Sequence, residues 1–170
     1  EAQAFVARWR RHTRAQVGEE FCLGLYDYRG RPLGCVVVGR PVARRLDDGT
    51  TREVTRCCVV NVEKGATKSQ CRGARPSDLY LVALHEAFTR WGAVPVVTYT
   101  LATEPGTSLI AAGFVREAES RAPVNGWSTR AGRHEHESPD RVRWGAVART
   151  RQEAARLMVY NAARIKDAGG

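Results

Sequence analysis

Three short runs rich in apolar residues, separated by polar turn and loop residues, predict β-strands in the first half of the chain. Tyr28, Arg29 and Gly30 separate the first two runs and indicate a β-hairpin. Ahead of the hairpin, apolar residues at helical spacing predict a first helix over 4–14. The predicted strands are 21–26, 33–38 and 52–60, and a polar loop occupies 44–51.

The second half of the chain contains segments with helical spacing of apolar residues and segments typical of strands. Pro76 and Ser77 open a helix that ends at Gly92, with Ser77 as its N-cap. Its apolar face is predicted to hold Leu79, Val82, Ala83, Phe88 and Trp91. The remaining predicted elements are a buried strand over 96–102, a short helix over 107–112, a strand from Phe114, an exposed loop over 123–140, a strand over 141–148 and an amphipathic helix over 151–166.

This order of elements predicts an α/β fold of the α+β mixed-sheet kind, with one central sheet and helices on both faces. We expect a single domain over 1–150, and a C-terminal amphipathic helix within 151–170 that packs on this domain or extends it. Ligands of such sheets bind where strands end and helices begin, so functional residues are expected at the ends of the central strands.

The charge balance narrows the choice of partner. Lysine and arginine number 27 against 18 aspartates and glutamates, a formal net charge of +9 that favours a polyanionic partner. A GC-rich genome that replaces lysine by arginine explains the same bias. The chain has no apolar run of about 18 residues and no signal-peptide pattern, which predicts a cytoplasmic protein with no membrane partner.

The five cysteines include no CxxC pair, so we expect them to be reduced thiols, as in a reducing compartment.

Two segments beside the predicted helices carry a resemblance to a known superfamily. They are Gln70-Cys71-Arg72-Gly73-Ala74-Arg75 and Leu109-Ile110-Ala111-Ala112-Gly113-Phe114. Together with the element order they resemble the GNAT superfamily, whose Q-x-x-G-x-G/A loop holds the pyrophosphate of acyl-coenzyme A (acyl-CoA) where two central strands splay apart. The first segment departs from this motif by ending on Arg75. The second has Leu109 where GNAT proteins often carry the tyrosine that protonates the leaving thiolate, which argues against ordinary acetyl transfer.

Four further segments resemble a narrower group. They are 39–44, 52–56, 98–101 and 104–109, and with the basic C-terminal loop they are similar to small phage and prophage proteins of GNAT-like fold, related to the Mom proteins that modify adenine in DNA. This resemblance implies a transferase acting on DNA, plausibly at an exocyclic base amine. The link to Mom chemistry is an analogy of fold.

A carboxylate and a guanidinium close together on the third strand are costly to bury unless they are paired or used. Glu53 is therefore a candidate base or orienting group, and Arg56 a candidate ligand for an anionic cofactor or a phosphate. The alternative is a structural ion pair with Glu104 or Asp47. Strict strand alternation places Glu53, Thr55 and Cys57 on one face and Val54, Arg56 and Cys58 on the other.

Four more residues complete the candidate catalytic set. Tyr99 stands in the buried strand, where its ring could stack on a base or its hydroxyl donate a proton. Glu104 follows that strand as a candidate base, and Ser108 is a candidate cleft hydroxyl. His12 lies in a basic helix end, where it is a base, a metal ligand or a solvated surface residue. An ordinary half-buried tyrosine, a loop charge and an early-helix polar residue are the structural alternatives for Tyr99, Glu104 and Ser108.

The resemblance implies an acyl-CoA donor or another activated acyl or aminoacyl donor, a small molecule bound at the start of the central helix. Its implied binding residues are Arg56, Gln70, Arg72, Gly73, Ala74 and Ser77.

Arginines interleaved with aromatic residues indicate contacts with phosphates and bases. A solvated basic rim is the alternative. The side chains of His134 and His136 would point the same way in an extended segment, as a pair of metal ligands would require. This pair is weak evidence for a metal, and the sequence leaves the metal unknown. The candidate nucleic-acid residues are Arg40, Trp127, Arg130, Arg133, Arg141 and Arg143.

Three functions are consistent with these features. The leading hypothesis is a DNA-modifying GNAT-like transferase, which would flip a base into its cleft. The second is an acyl-CoA-dependent N-acyltransferase acting on a small amine or a protein. The third is a non-catalytic DNA-binding module on a GNAT-like scaffold. The sequence indicates no particular oligomeric state.

Overall fold

The computed structural model describes residues 18–60, 75–120 and 140–150, together with 152, 153 and 156. Each element predicted within these ranges, from the hairpin to the last strand, is present, with ends shifted by two residues at most. The elements are β1 (Glu19–Tyr26), β2 (Pro32–Gly39), β3 (Arg52–Val59), α1 (Pro76–Trp91), β4 (Pro95–Leu101), α2 (Thr107–Ala111), β5 (Val115–Ser120) and β6 (Arg141–Val147).

The β1–β2 hairpin turns where the sequence predicts it. Asp27 organises the turn, because its carboxylate accepts the backbone N–H groups of Arg29 and Arg31 at 2.9 and 2.8 Å. Gly30 takes a positive φ of 75°, a conformation that costs glycine little. The hydrogen bond from the Arg31 backbone is the largest cause that lowers the pKa of Asp27.

The six strands form one mixed sheet in the order β1-β2-β3-β4-β6-β5. The β3–β4 pair is parallel and the other pairs are antiparallel. The parallel ladder runs only from Arg52–Val96 to Val54–Thr98. Thr98 reinforces its last rung, because its hydroxyl donates to the Val54 carbonyl at 2.8 Å. Both strands continue beyond that rung without pairing with each other, and we call the gap between these strand ends the cleft.

Both described helices pack on one face of the sheet, which we call the helix face. The first predicted helix, 4–14, lies outside the described residues, so the prediction of helices on the other face stays a prediction. The core joins α1, α2 and alternate strand residues. Its members that are less than 2% exposed and apolar include Val36, Val38, Ala83, Leu84, Ala87, Val96, Ala112 and Val142.

A β-bulge in β3 overturns the predicted strict alternation. Val37 pairs with Arg56 and Val38 with Val54, so Thr55 is an extra residue in the ladder. Such a bulge shifts the two-residue period by one position. Val54 and Cys57 consequently both contact the helix-face core. Glu53 and Arg56 share the opposite face, where strict alternation had separated them.

The start of α1 also differs from the prediction. Arg75 is the N-cap, without a side-chain cap, and Ser77 is buried in the first turn. Pro76 explains the shift, because proline fits the first helical position, where its fixed φ is helical and no N–H bond is lost. The buried stripe is centred on Leu84. Val82 lies about 200° around the helix from it and is exposed, contrary to the prediction.

Arg52 is a buried charge that the sequence did not single out. Its guanidinium lies over the Trp91 ring, 4.3 Å from the centroid, and one nitrogen donates to the carbonyls of Gly49, Thr50 and Thr51. Its Nε lies 2.6 Å from Glu20 Oε2, close enough for an ion pair but not aligned for a hydrogen bond. These contacts balance the cost of burying the charge.

The predicted C-terminal helix begins with a capping box. Thr150 Oγ1 accepts the Glu153 N–H at 3.3 Å, while the Glu153 carboxylate accepts the Thr150 N–H at 2.9 Å. Residues 152, 153 and 156 are helical, and the other residues of the predicted span lie outside the described ranges. No helix in the described part of the chain is long and apolar enough to cross a membrane.

Candidate functional site

The sheet face opposite the helix face gathers five of the predicted site residues. The bulge in β3 brings Glu53 and Arg56 to this face. The register places Glu53 beside Val97, two residues before Tyr99, and Tyr99 directly opposite Arg143. Arg141 lies two residues before Arg143, on the same face of β6. We call Glu53, Arg56, Tyr99, Arg141 and Arg143 the charged face.

Glu53, the carboxylate of the charged face, is 6% exposed. Its Oε2 accepts the backbone N–H of Val42 at 2.9 Å, which ties the β2–β3 loop to β3. Burial raises the pKa of Glu53, while the Val42 hydrogen bond and the charges of Arg56 and Arg141 partly oppose this rise. A carboxylate whose pKa is raised toward neutrality is suited to accept a proton.

Tyr99 stands one residue past the last β3–β4 rung, at the mouth of the cleft. Burial raises the pKa of Tyr99, and the negative charge of Glu53 raises it further. The charge of Arg143 and its hydrogen bond to the phenol act in the opposite direction. The phenol is therefore protonated at neutral pH and can donate a proton.

Arg143 is held by a carboxylate that sequence reasoning missed. Its Nε donates to Glu117 Oε2 at 2.9 Å. Glu117 is the extra residue of a second bulge, because Arg116 pairs with Trp144 while Ala118 pairs with Arg143. Nothing in the sequence singled out Glu117, because β5 is an exposed edge strand and charged residues are common on such strands.

The cleft between β3 and β4 leads to the start of α1. The Cys57 thiol on β3 donates to the Pro76 carbonyl at 3.8 Å, which places the helix N-terminus beside the open half of that strand. Arg75 forms an exposed ion pair with Asp78 at 3.0 and 3.1 Å. The first N–H groups of a helix favour anions, and exposed ion pairs of this kind contribute little.

Other predicted residues lie elsewhere. Glu104 accepts the Leu101 N–H at 3.1 Å and closes the turn after β4. Ser108 is half-buried in α2, and its carbonyl accepts the Ala112 N–H. Arg40 forms a two-pronged ion pair with Asp47 at 3.0 and 2.8 Å in the β2–β3 loop.

Arg56 donates to the Thr55 carbonyl at 2.5 Å. Of the two carboxylates suggested as structural partners, Asp47 pairs with Arg40 and Glu104 accepts the Leu101 N–H. Within the described ranges, no group of three or more histidine, cysteine, aspartate or glutamate residues could hold a metal ion. The predicted site residues outside these ranges are His12, Gln70, Arg72, Gly73, Ala74, Trp127, Arg130, Arg133, His134 and His136.

Comparison with solved structures identifies the architecture. A Bacillus subtilis acetyltransferase in complex with CoA superposes with a TM-score of 0.50 at 14% identity, covering 85% of this chain and 82% of that one. Nourseothricin acetyltransferase has a TM-score of 0.46 at 16% identity, over 73% and 62% of the two chains. A GNAT family acetyltransferase from Elizabethkingia anophelis with acetyl-CoA bound has a TM-score of 0.44 at 16% identity, over 70% and 71%. The predicted GNAT-like α/β fold is confirmed.

Sequence comparison adds no family. No protein-family model matches this chain, and no curated protein matches it. The relation to small phage proteins therefore stays a prediction.

Proposed function

We propose that this protein is an acyl-CoA-dependent N-acyltransferase whose chemistry takes place on the charged face. One observation carries the proposal: Glu53 and Tyr99, a carboxyl and a phenol with raised pKa, flank the point where β3 and β4 separate. A proton acceptor and a proton donor beside a cleft are the two groups that general acid–base catalysis of acyl transfer to an amine uses.

The cleft fits the donor at two places. Past Val54 and Thr98 the facing edges of β3 and β4 no longer pair with each other, and the pantetheine arm would enter between them. The α1 N-terminus, with Arg75 beside it, is suited to the diphosphate. Acyl-CoA supplies an acyl group activated as a thioester. The Bacillus subtilis structure of this fold contains CoA, which supports this choice of donor.

Glu53 takes the role of base. Its Oε2 is anchored by Val42, so the carboxyl group keeps its orientation while it accepts a proton from the incoming amine. Tyr99 takes the role of acid and returns a proton to the leaving sulfur. Leu109, at the position where GNAT proteins often carry the acidic tyrosine, is 2% exposed and packs in the core. Tyr99 on β4 is therefore our candidate replacement.

The test measures free CoA released from acetyl-CoA with a panel of amines. Glu53→Gln and Tyr99→Phe should each lower kcat by about 10²–10⁴-fold, the usual contribution of general acid–base catalysis. Glu86→Gln and Tyr28→Phe are matched controls, because both side chains are away from the charged face, and they should retain wild-type rates. Wild-type rates in both site variants would refute the assigned roles.

A DNA acceptor is the second candidate, and Arg141 favours it. This arginine is exposed on the charged face and is close enough to Glu53 to affect its pKa. In a protein of net charge +9, it could hold a phosphate beside the reacting amine. Mass spectrometry of nucleosides from cells expressing the protein would reveal an adduct that is absent with Glu53→Gln. DNA binding without any adduct would instead support a non-catalytic module.

A further inference from the structure

The contact between Arg143 and Glu117 reaches Tyr99 from the side away from Glu53. The charges that act on the pKa of Tyr99 belong to Glu53 from β3, Arg143 from β6 and Glu117 from β5. Arg56 and Arg141 share its face of the sheet. Arg143 is the link, because it stands opposite Tyr99 in the ladder and contacts Glu117 at 2.9 Å. The Glu117 and Arg143 side chains are 36% and 31% exposed, so solvent screens their charges only in part.

Gly145 makes room for this arrangement. A Cβ built on Gly145 would overlap the Glu117 carboxylate, so the glycine leaves the space in which Glu117 lies over β6. The bulge at Glu117 aims the side chain into that space. Two independent features, an extra residue in β5 and a missing side chain in β6, therefore place one carboxylate on Arg143.

We propose that Glu117 is a positioning residue that holds Arg143 opposite Tyr99 and balances its positive charge. A contribution of Glu117 to acyl transfer rests on the proposed function, whereas its influence on the titration of Tyr99 does not. With Glu117 in place, Arg143 stays opposite Tyr99 with much of its positive charge balanced. Without Glu117, that charge would favour the tyrosinate.

The test is a spectroscopic titration of Tyr99. Tyrosinate absorption is measured against pH, and the Tyr99→Phe protein is subtracted to isolate one residue. In Glu117→Gln, the tyrosinate fraction of Tyr99 at a fixed pH below its midpoint should rise about three- to tenfold. Gly145→Ala should shift the titration in the same direction. This variant keeps the negative charge of Glu117 but moves its carboxylate away from Arg143, because the added methyl group takes its place.

The control is Glu119→Gln, which removes the same charge from the same strand. Glu119 pairs with Arg116 and stands opposite Val142, on the helix face. This variant should leave the Tyr99 titration unchanged. An unchanged titration in Glu117→Gln, or an equal shift in Glu119→Gln, would overturn the proposal. Absence of acyl transfer in the wild type would count against the proposed function alone, since the titration is read without turnover.

Discussion

Gly106 combines a left-handed backbone conformation with a close packing contact, so replacing it tests how β4 is joined to α2. Its φ is 66°, in the left-handed region, and a Cβ at this position would overlap the Trp144 ring. Trp144 is 5% exposed, and its Nε1 donates to Thr100 Oγ1 at 3.0 Å. The ring therefore has little freedom to move.

The expected cost of Gly106→Ala has two parts. An L-residue in the left-handed region costs about 1–2 kcal/mol. Forcing a methyl group against a packed ring costs about a further 1–3 kcal/mol. We expect the free energy of unfolding to fall by about 2–5 kcal/mol in total, which is a large part of the stability of an ordinary domain.

Urea unfolding followed by circular dichroism measures this change, and Gly49→Ala is the matched control. Gly49 has a φ of 84°, but its added Cβ would meet no atom within 4 Å. Gly49→Ala should therefore show only the backbone cost, about 1–2 kcal/mol. Equal losses in the two variants would refute the argument that Trp144 restricts Gly106.

Two further predictions concern a buried charge and a helix cap. Glu53→Gln should gain stability relative to the wild type as pH rises from about 4 to 8, because the raised pKa of Glu53 means that the wild-type fold loses stability as this buried carboxyl ionises. Urea midpoints across that range check the sign, and a constant difference would contradict it. Thr150→Ala should lower the free energy of unfolding by about 1 kcal/mol, because the capping box with Glu153 is lost. Chemical denaturation measures this loss, and an unchanged midpoint would show that the cap contributes nothing.

Much of the candidate site could be predicted from single residues. Glu53 and Arg56 stood out because charges on a central strand need a reason, and Tyr99 because it interrupts an apolar run. Arg141 and Arg143 stood out through their charge. Glu117 and Arg52 could not be found in this way, because their roles depend on Gly145 and Trp91, which are far away in the chain.

The sequence by itself determined where the strands and helices lie, because a period of two or 3.6 residues and turn residues such as Asp27 and Gly30 act over a few neighbours. The tertiary structure decided which residues share a face. Two bulges, at Thr55 and Glu117, each shifted the alternation by one residue. The early end of the β3–β4 ladder opened the cleft. Bulges and register depend on pairing between distant strands, and no local pattern records that pairing.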